Sequence, residues 1–197
     1  VILVLSLFFG IQTFAQKDCD YSTVVNDSIG TYKETKGYLM HEKVFGGKST
    51  YLFFSLALEN NVPFLKVQKI EKSANFIQAN CFDKQSKVYI QLLNGKIVTL
   101  IYGGEETCGN LIHLPNEPAS SRIITGNFLF LKGSIEDLKS SPIWEIRIRY
   151  STDTNDFAVK KEQLREARLK EYLVSELMNE TFTPETYFIK YLNCVTD

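Results

Sequence analysis

Four cysteines, two histidines and one glycine-lysine run are the residues of this chain with an evident chemical use. Phe45-Gly-Gly-Lys-Ser-Thr50 ends like a phosphate-binding loop, but the full pattern wants a glycine five residues before Gly47, where Glu42 stands. Its flanks alternate as strands on both sides, whereas a phosphate loop leads from a strand into a helix. The run reads as the glycine turn of a β-hairpin. Cys108 and His113 could serve a thiol enzyme or a metal site. Their spacing lacks the paired ligands of a zinc centre, and His41 is the one other histidine. There is no Gly-x-Ser-x-Gly elbow, and neither histidine has a recognisable acid or nucleophile partner in the sequence. Glu105-Glu106 could hold a cation or act as an acid–base pair, but adjacent carboxylates on a strand face opposite ways, which suits a solvated hairpin end. Exposed Tyr or Trp could stack on a sugar, yet most of the 14 Phe, 10 Tyr and 1 Trp fall at core spacing, so packing is their expected role. No catalytic, cofactor-binding or metal-ligating set is expected, and no cofactor. An enzyme would have to gather sequence-distant groups, such as His41, His113 or Arg147 with a carboxylate, in one pocket.

The cysteines point to oxidation. Four in an exported chain suggest two disulfides, and three connectivities are open. Lys87–Leu93 and Lys96–Tyr102 are strand-like runs joined by Asn94-Gly95, the pair best suited to a two-residue type I′ turn. That register sets Leu92 opposite Ile97, Ile90 opposite Thr99, Val88 opposite Ile101 and formally Cys81 opposite Cys108. It would put Cys81/Cys108 at a wide, hydrogen-bonded position of an over-long ladder, so a bulge or loop is expected between turn and bridge. The expected pairing is Cys81 with Cys108, leaving Cys19 for Cys194 near the chain ends.

Export itself is read from Val1–Ile11, apolar and uncharged, followed by the small residues around Ala15. Residues 1–15 are expected to be a signal peptide and 16–197 a single globular domain. The apolar run is about half the ~20 residues a spanning helix needs, so no transmembrane segment is expected in the mature chain. With 22 basic and 23 acidic residues and no block of one sign, the chain has no electrostatic footprint for nucleic acid.

Several elements must position these residues. Lys17–Lys36 reads as a loose lead-in tied down at Cys19. Tyr38–Phe45 and Thr50–Leu58 form a hairpin, with Leu52, Phe54, Leu56 and Leu58 on one face. Glu59–Pro63 is a turn and Phe64–Ile70 a shorter strand. In the central hairpin Val88, Ile90, Leu92, Ile97 and Ile101 share a face. Gly103-Gly104 and Gly109–Ser121 make the longest irregular connection, and Arg122–Lys132 is a strand. Ser134-Ile-Glu-Asp137 reads as a helix N-cap, and the short helix stops at Pro142. Trp144, Ile146, Ile148 and Tyr150 form the buried side of a strand that Phe157–Lys160 pairs with. A helix is expected at 161–179, and a short terminal one after Thr183-Pro184. The fold class is α+β: a mainly antiparallel sheet built from hairpins, with one longer and one short C-terminal helix packed on it.

Thr13-Phe-Ala-Gln16, Asn80-Cys-Phe-Asp-Lys84, Asn94-Gly-Lys-Ile-Val-Thr-Leu100, Asp137-Leu-Lys-Ser-Ser-Pro-Ile143, the strand residues beside Arg147-Ile-Arg149, and Tyr187-Phe188 before Cys194 carry a likeness. On them the chain resembles exported proteins of the Bacteroidetes, of the flavobacterial type. The resemblance covers most of the mature chain and implies a periplasmic or secreted protein without bringing an activity. It also implies O-glycosylation at Ser28, because Asp27-Ser28-Ile29 fits the Asp-Ser/Thr-apolar acceptor of such bacteria. The function expected is a non-catalytic binding or scaffolding module of the envelope, with an envelope protein or a small ligand as partner. The alternative is a hydrolase-type enzyme whose site is assembled from distant residues.

Overall fold

Strand propensity and turn chemistry agree along most of the chain, and the outcome is a long antiparallel sheet. The structure, a computed structural model, describes residues 19–113, 117–159 and 182–196. The signal peptide expected at 1–15 and the helix expected at 161–179 lie outside the described residues.

The strands are β1 (Tyr21–Asn26), β2 (Thr31–Thr35), β3 (Tyr38–Phe45), β4 (Lys48–Glu59), β5 (Val62–Ser73), β6 (Cys81–Phe82), β7 (Lys87–Leu92), β8 (Ile97–Tyr102), β9 (Thr107–Cys108), β10 (Asn110–His113), β11 (Ser120–Phe130), β12 (Ile143–Arg149) and β13 (Thr154–Ala158). Eleven of them make one sheet in the order β1-β2-β4-β5-β11-β8-β7-β12-β13, with β3 also on β4 and β10 also on β11, while β6 and β9 pair separately. All pairings are antiparallel. β2 and β3 share one edge of β4, divided at residues 36–37, where the Leu56 amide donates to Thr35 Oγ1 at 2.9 Å in place of a strand partner.

The sheet rolls up on itself. His41 Nδ1 of β3 sits 2.8 Å from the Ala158 carbonyl at the end of β13, with the imidazole edge-on to Phe157. Inside the roll lie Leu52, Phe54, Leu56, Leu65, Val67, Val88, Ile90, Leu100, Phe128, Ile146 and Ile148, each fully buried. A short helix α1 (Ser134–Ser140) and a C-terminal segment with a 3-10 turn at Pro184–Thr186, helix α2 (Tyr187–Tyr191) and a second 3-10 turn at Leu192–Val195 close one end. There Tyr38 packs against Phe182, Tyr187 and Tyr191 at centroid distances of 4.4–5.5 Å, and Phe54 against Tyr187 and Phe188. The fold class is thus a mainly antiparallel sheet with a short C-terminal helix.

Several expectations need correction. Lys17–Lys36 is no loose lead-in, because β1 and β2 pair across a turn whose amides at Ile29 and Gly30 donate to Asp27 Oδ1. The 59–63 turn shrinks to Asn60-Asn61, both at positive φ, and β5 starts at Val62. Pro63 is tolerated because β11 pairing stops at Phe64, one residue short of it. The central hairpin turns on three residues, not two. The Gly95 amide donates to the Leu92 carbonyl and the Leu92 amide to the Lys96 carbonyl, and Gly95 alone has positive φ, which is a type I turn closed by a glycine bulge. Ile90 therefore faces Val98 and Gln91 faces Ile97. This one-residue shift exchanges faces: Val98 and Leu100 go inward with Val88, Ile90 and Leu92, while Ile97 is exposed. Contact with the residues just after α1 favours the longer loop, since the Leu93 amide donates to the Pro142 carbonyl and the Asn94 amide to Ser141 Oγ.

In β12 a bulge between Ile143 and Glu145 makes Ile143, not Trp144, the inward residue, and Trp144 is left half exposed. Ser134 does not cap α1. Gly133, at φ 84°, is the N-cap residue and makes no side-chain cap bond, while Ser134 is buried. Thr183 caps through its carbonyl, which takes the Thr186 amide, rather than through its hydroxyl. Part of the long connection after Gly103 is strand, as β9 and β10.

Candidate functional site

Continuing the inward parity of Leu65 and Val67 along β5 brings Lys69, Glu71 and Ser73 to the inside of the roll, at the end opposite the helices. Lys69 is 3% exposed. A buried ammonium needs acceptors for its protons and a counter-ion. Both are present: Lys69 Nζ donates to Asn80 Oδ1, lies 3.0 Å from Glu71 Oε2 and 3.3 Å from Asn155 Oδ1, and sits 5.0 Å from the centre of the Tyr150 ring. The other Glu71 oxygen receives Lys48 Nζ at 2.7 Å. Lys48 belongs to the glycine-lysine run: its strand pairing with Phe45 across Gly46 (φ 59°) and Gly47 (φ 76°) confirms the hairpin-turn reading and aims it at Glu71.

Burial lowers the Lys69 ammonium from its ordinary range, opposed by the charge and hydrogen bond of Glu71. For Glu71 burial acts to raise the carboxyl, but the Lys48 hydrogen bond and the Lys69 charge outweigh it and hold the group below the usual value. Burial, with Glu71 and Asp153 nearby, pushes the Tyr150 phenol far up, so it stays neutral. Its hydroxyl is buried without a partner among the described residues.

A strap over residues 74–82, joining β5 to the central hairpin, covers this cluster. Ile77, Asn80 and Phe82 are buried along it. Arg122 Nε donates to the Ile77 carbonyl and Nη1 to that of Gly109, the Gly109 amide donates to the Asn80 carbonyl, and the Ser151 amide to that of Cys81. Phe82 stacks on Tyr150 at 5.1 Å and occupies the space that a side chain at Gly126 would take, a Cβ there falling 2.6 Å from its ring.

Both disulfides join the expected partners. Cys81 and Cys108 have Cα atoms 4.0 Å apart, and Cys19 and Cys194 5.6 Å. The wide-pair geometry expected for Cys81/Cys108 does not occur: the Gly109–Asn80 bond makes the neighbouring pair the hydrogen-bonded one, so the cysteines occupy the narrow position. One extra residue on the 102–106 side restores the alignment that the longer turn had shifted.

The other candidate residues stay apart. His41 is engaged with the Ala158 carbonyl on the seam of the roll, and His113 is exposed with Nδ1 3.2 Å from Ser120 Oγ. Arg147 forms a two-point, exposed ion pair with Asp156, whose carboxyl it holds below its usual range. Glu105 and Glu106 are exposed beyond β8, and Ser28 is exposed in the β1–β2 turn. Among the described residues no group of three or more His, Cys, Asp or Glu could hold a metal ion. An open apolar cavity of about 340 Å³ lies at the helical end, lined by Val62, Pro63, Leu129, Leu131 and Ile135 with Lys132 and Glu136 beside them. No helix among the described residues is long and apolar enough to cross a membrane.

Compared with protein-family models, with curated proteins and with solved structures, the chain matches none.

Proposed function

We propose that this is an exported protein of the bacterial envelope, periplasmic or secreted, that binds or scaffolds another molecule without catalysis. The observation that carries this reading is the state of the buried polar cluster. Lys69 and Glu71 are 3% and 7% exposed, pair with each other at 3.0 Å, and lie beneath the strap. A general acid, base or nucleophile must reach a substrate atom, whereas the open cavity by Val62 and Leu131 is apolar and suits an anchoring side chain or a small apolar ligand. Two disulfides support an oxidising compartment, and the resemblance to exported Bacteroidetes proteins supports an envelope address. In the same reading Ser28, presented on the β1–β2 turn, carries an O-glycan, and its signature is a glycan mass on the Ser28 peptide of protein from the native host that vanishes in Asp27→Ala.

The alternative, a hydrolase-type enzyme, has one observation in its favour: Tyr150, Asn80 and Asn155, distant in the chain from Lys69 and Glu71 on β5, do converge on them. Nitrophenyl esters, phosphoesters and glycosides separate the two readings. The expected result is no turnover above background by the oxidised protein. Turnover lost in Lys69→Met/Glu71→Gln but retained in Arg147→Ala, with both folded by circular dichroism, would establish the enzyme instead.

A further inference from the structure

The two disulfides differ in what they hold and in how far solvent reaches them. Cys194, in the terminal 3-10 turn, is buried and Cys19 half-buried, and Tyr21 donates to the Cys194 carbonyl at 2.8 Å. Cys108 is exposed and Cys81 half-buried, at the rim of the roll. The bridge they form fastens the strap to β9. β6 and β9 are two residues each, and a two-stranded ladder that short does not persist by itself. The strap has no regular structure from residue 74 to 80, and Phe76 within it is 88% exposed. Its inner side nevertheless supplies Asn80, one of the acceptors on Lys69. Exposure favours attack on a disulfide, and exposed bridges are the labile ones.

We infer that Cys81–Cys108 is a latch addressable by thiols: a dithiol reductant opens it, releases the strap between Ile77 and Phe82 from the mouth of the roll and uncovers Lys69, while Cys19–Cys194 stays closed. The reductant's thiolate attacks Cys108 Sγ, the Cys81–Cys108 bond breaks, and Cys81 leaves as a thiolate that takes up a proton. The reductant's second thiol then attacks its own sulfur in the mixed disulfide and releases Cys108 as a thiol. The protein gains two thiols and the reductant ends as a disulfide. Arg122 still holds the strap at Ile77 and the Phe82 ring holds its far end, which confines the opening to residues 78–81 and leaves the sheet intact. The latch adds a control to the binding reading without depending on it; its failure leaves that reading untouched.

Dithiothreitol is the probe. The folded protein is titrated with it, thiols are trapped with N-ethylmaleimide, lysines are acetylated with a water-soluble ester, and peptides are mapped by mass. Expected are labelled Cys81 and Cys108 at concentrations where Cys19 and Cys194 remain unlabelled, and at least a roughly tenfold rise in Lys69 acetylation with Lys43 unchanged. Cys81→Ser/Cys108→Ser should reproduce the Lys69 rise without reductant, and Cys19→Ser/Cys194→Ser should not. The latch is refuted if Lys69 stays protected once Cys81 and Cys108 are reduced, if Cys19–Cys194 opens at the same or lower concentration, or if far-ultraviolet dichroism collapses as the bridge opens.

Discussion

Replacing Glu71 by Gln keeps the side chain's shape and removes its charge. Lys69, at 3% exposure, then loses its counter-ion while Lys48, on the surface, loses a partner of little consequence. Breaking a buried ion pair by removing one member costs about 3–5 kcal/mol. Asn80, Asn155 and the Tyr150 ring still face the ammonium, and the glutamine side chain keeps a carbonyl oxygen, so the loss belongs at the lower end, about 3 kcal/mol, or a fall in Tm of about 6–12 °C for a domain of this size. The pH dependence identifies the cause. Burial already holds Lys69 below its ordinary range, and without Glu71 it falls further. Between that native value and the unfolded value near ~10.4 the unfolded chain binds more protons, so stability rises with pH there and the Glu71→Gln defect shrinks toward alkaline pH. In the parent protein Glu71, held low, contributes stability that is present above the ordinary carboxyl range and lost as pH falls through its native value. Urea unfolding at pH 7 and pH 9 measures the first effect, and an acid series below the ordinary carboxyl range measures the second. A defect under about 0.5 kcal/mol at pH 7, or one that grows with pH, would refute the buried-pair account.

Three further outcomes follow from the packing. Gly126→Ala drives a Cβ into the Phe82 ring and should cost about 1–3 kcal/mol by chemical denaturation, with Phe82→Leu in the same chain restoring part of it. Trp144→Ala should cost under about 1 kcal/mol, because the bulge leaves the indole half outside, whereas Ile146→Ala, one turn of the pleat inward, should cost about 2–5 kcal/mol. Cys19→Ser/Cys194→Ser, which opens a loop spanning 175 positions, should lower stability by about 5 kcal/mol, more than Cys81→Ser/Cys108→Ser with its span of 27, as followed by thermal unfolding.

Much of this architecture was legible because turn chemistry is local. Gly46-Gly47 needs both positive φ angles and announces its hairpin, and the alternation of Leu52, Phe54 and Leu56 names the face it buries. Asn94-Gly95 was misleading for the same reason. Asn is acceptable in either turn, and what selects the three-residue loop is contact with Ser141 and Pro142, almost fifty residues away. Trp144 misled because a bulge changes parity without altering composition. Lys69 and Glu71 were missed as site residues although the signal was present: Leu65 and Val67 set the inward parity, but the strand was read as ending at Ile70, whereas β5 runs on to Ser73. Their neighbours Asn80, Tyr150 and Asn155 come together only when the sheet rolls up, a closure that no short spacing encodes. The cysteine pairing survived an error in register because the extra residue at 102–106 compensates for the longer turn.

The most direct test of the buried Lys69–Glu71 pair is the chemical reactivity of Lys69 in the native, oxidised protein. Acetylation by a water-soluble ester at pH 8, read peptide by peptide, should modify exposed Lys43 and Lys48 readily and Lys69 at least about a hundredfold more slowly, since only local opening exposes it. Acetylation of Lys69 at the rate of Lys43 would show that the interior is open to solvent and would contradict the account.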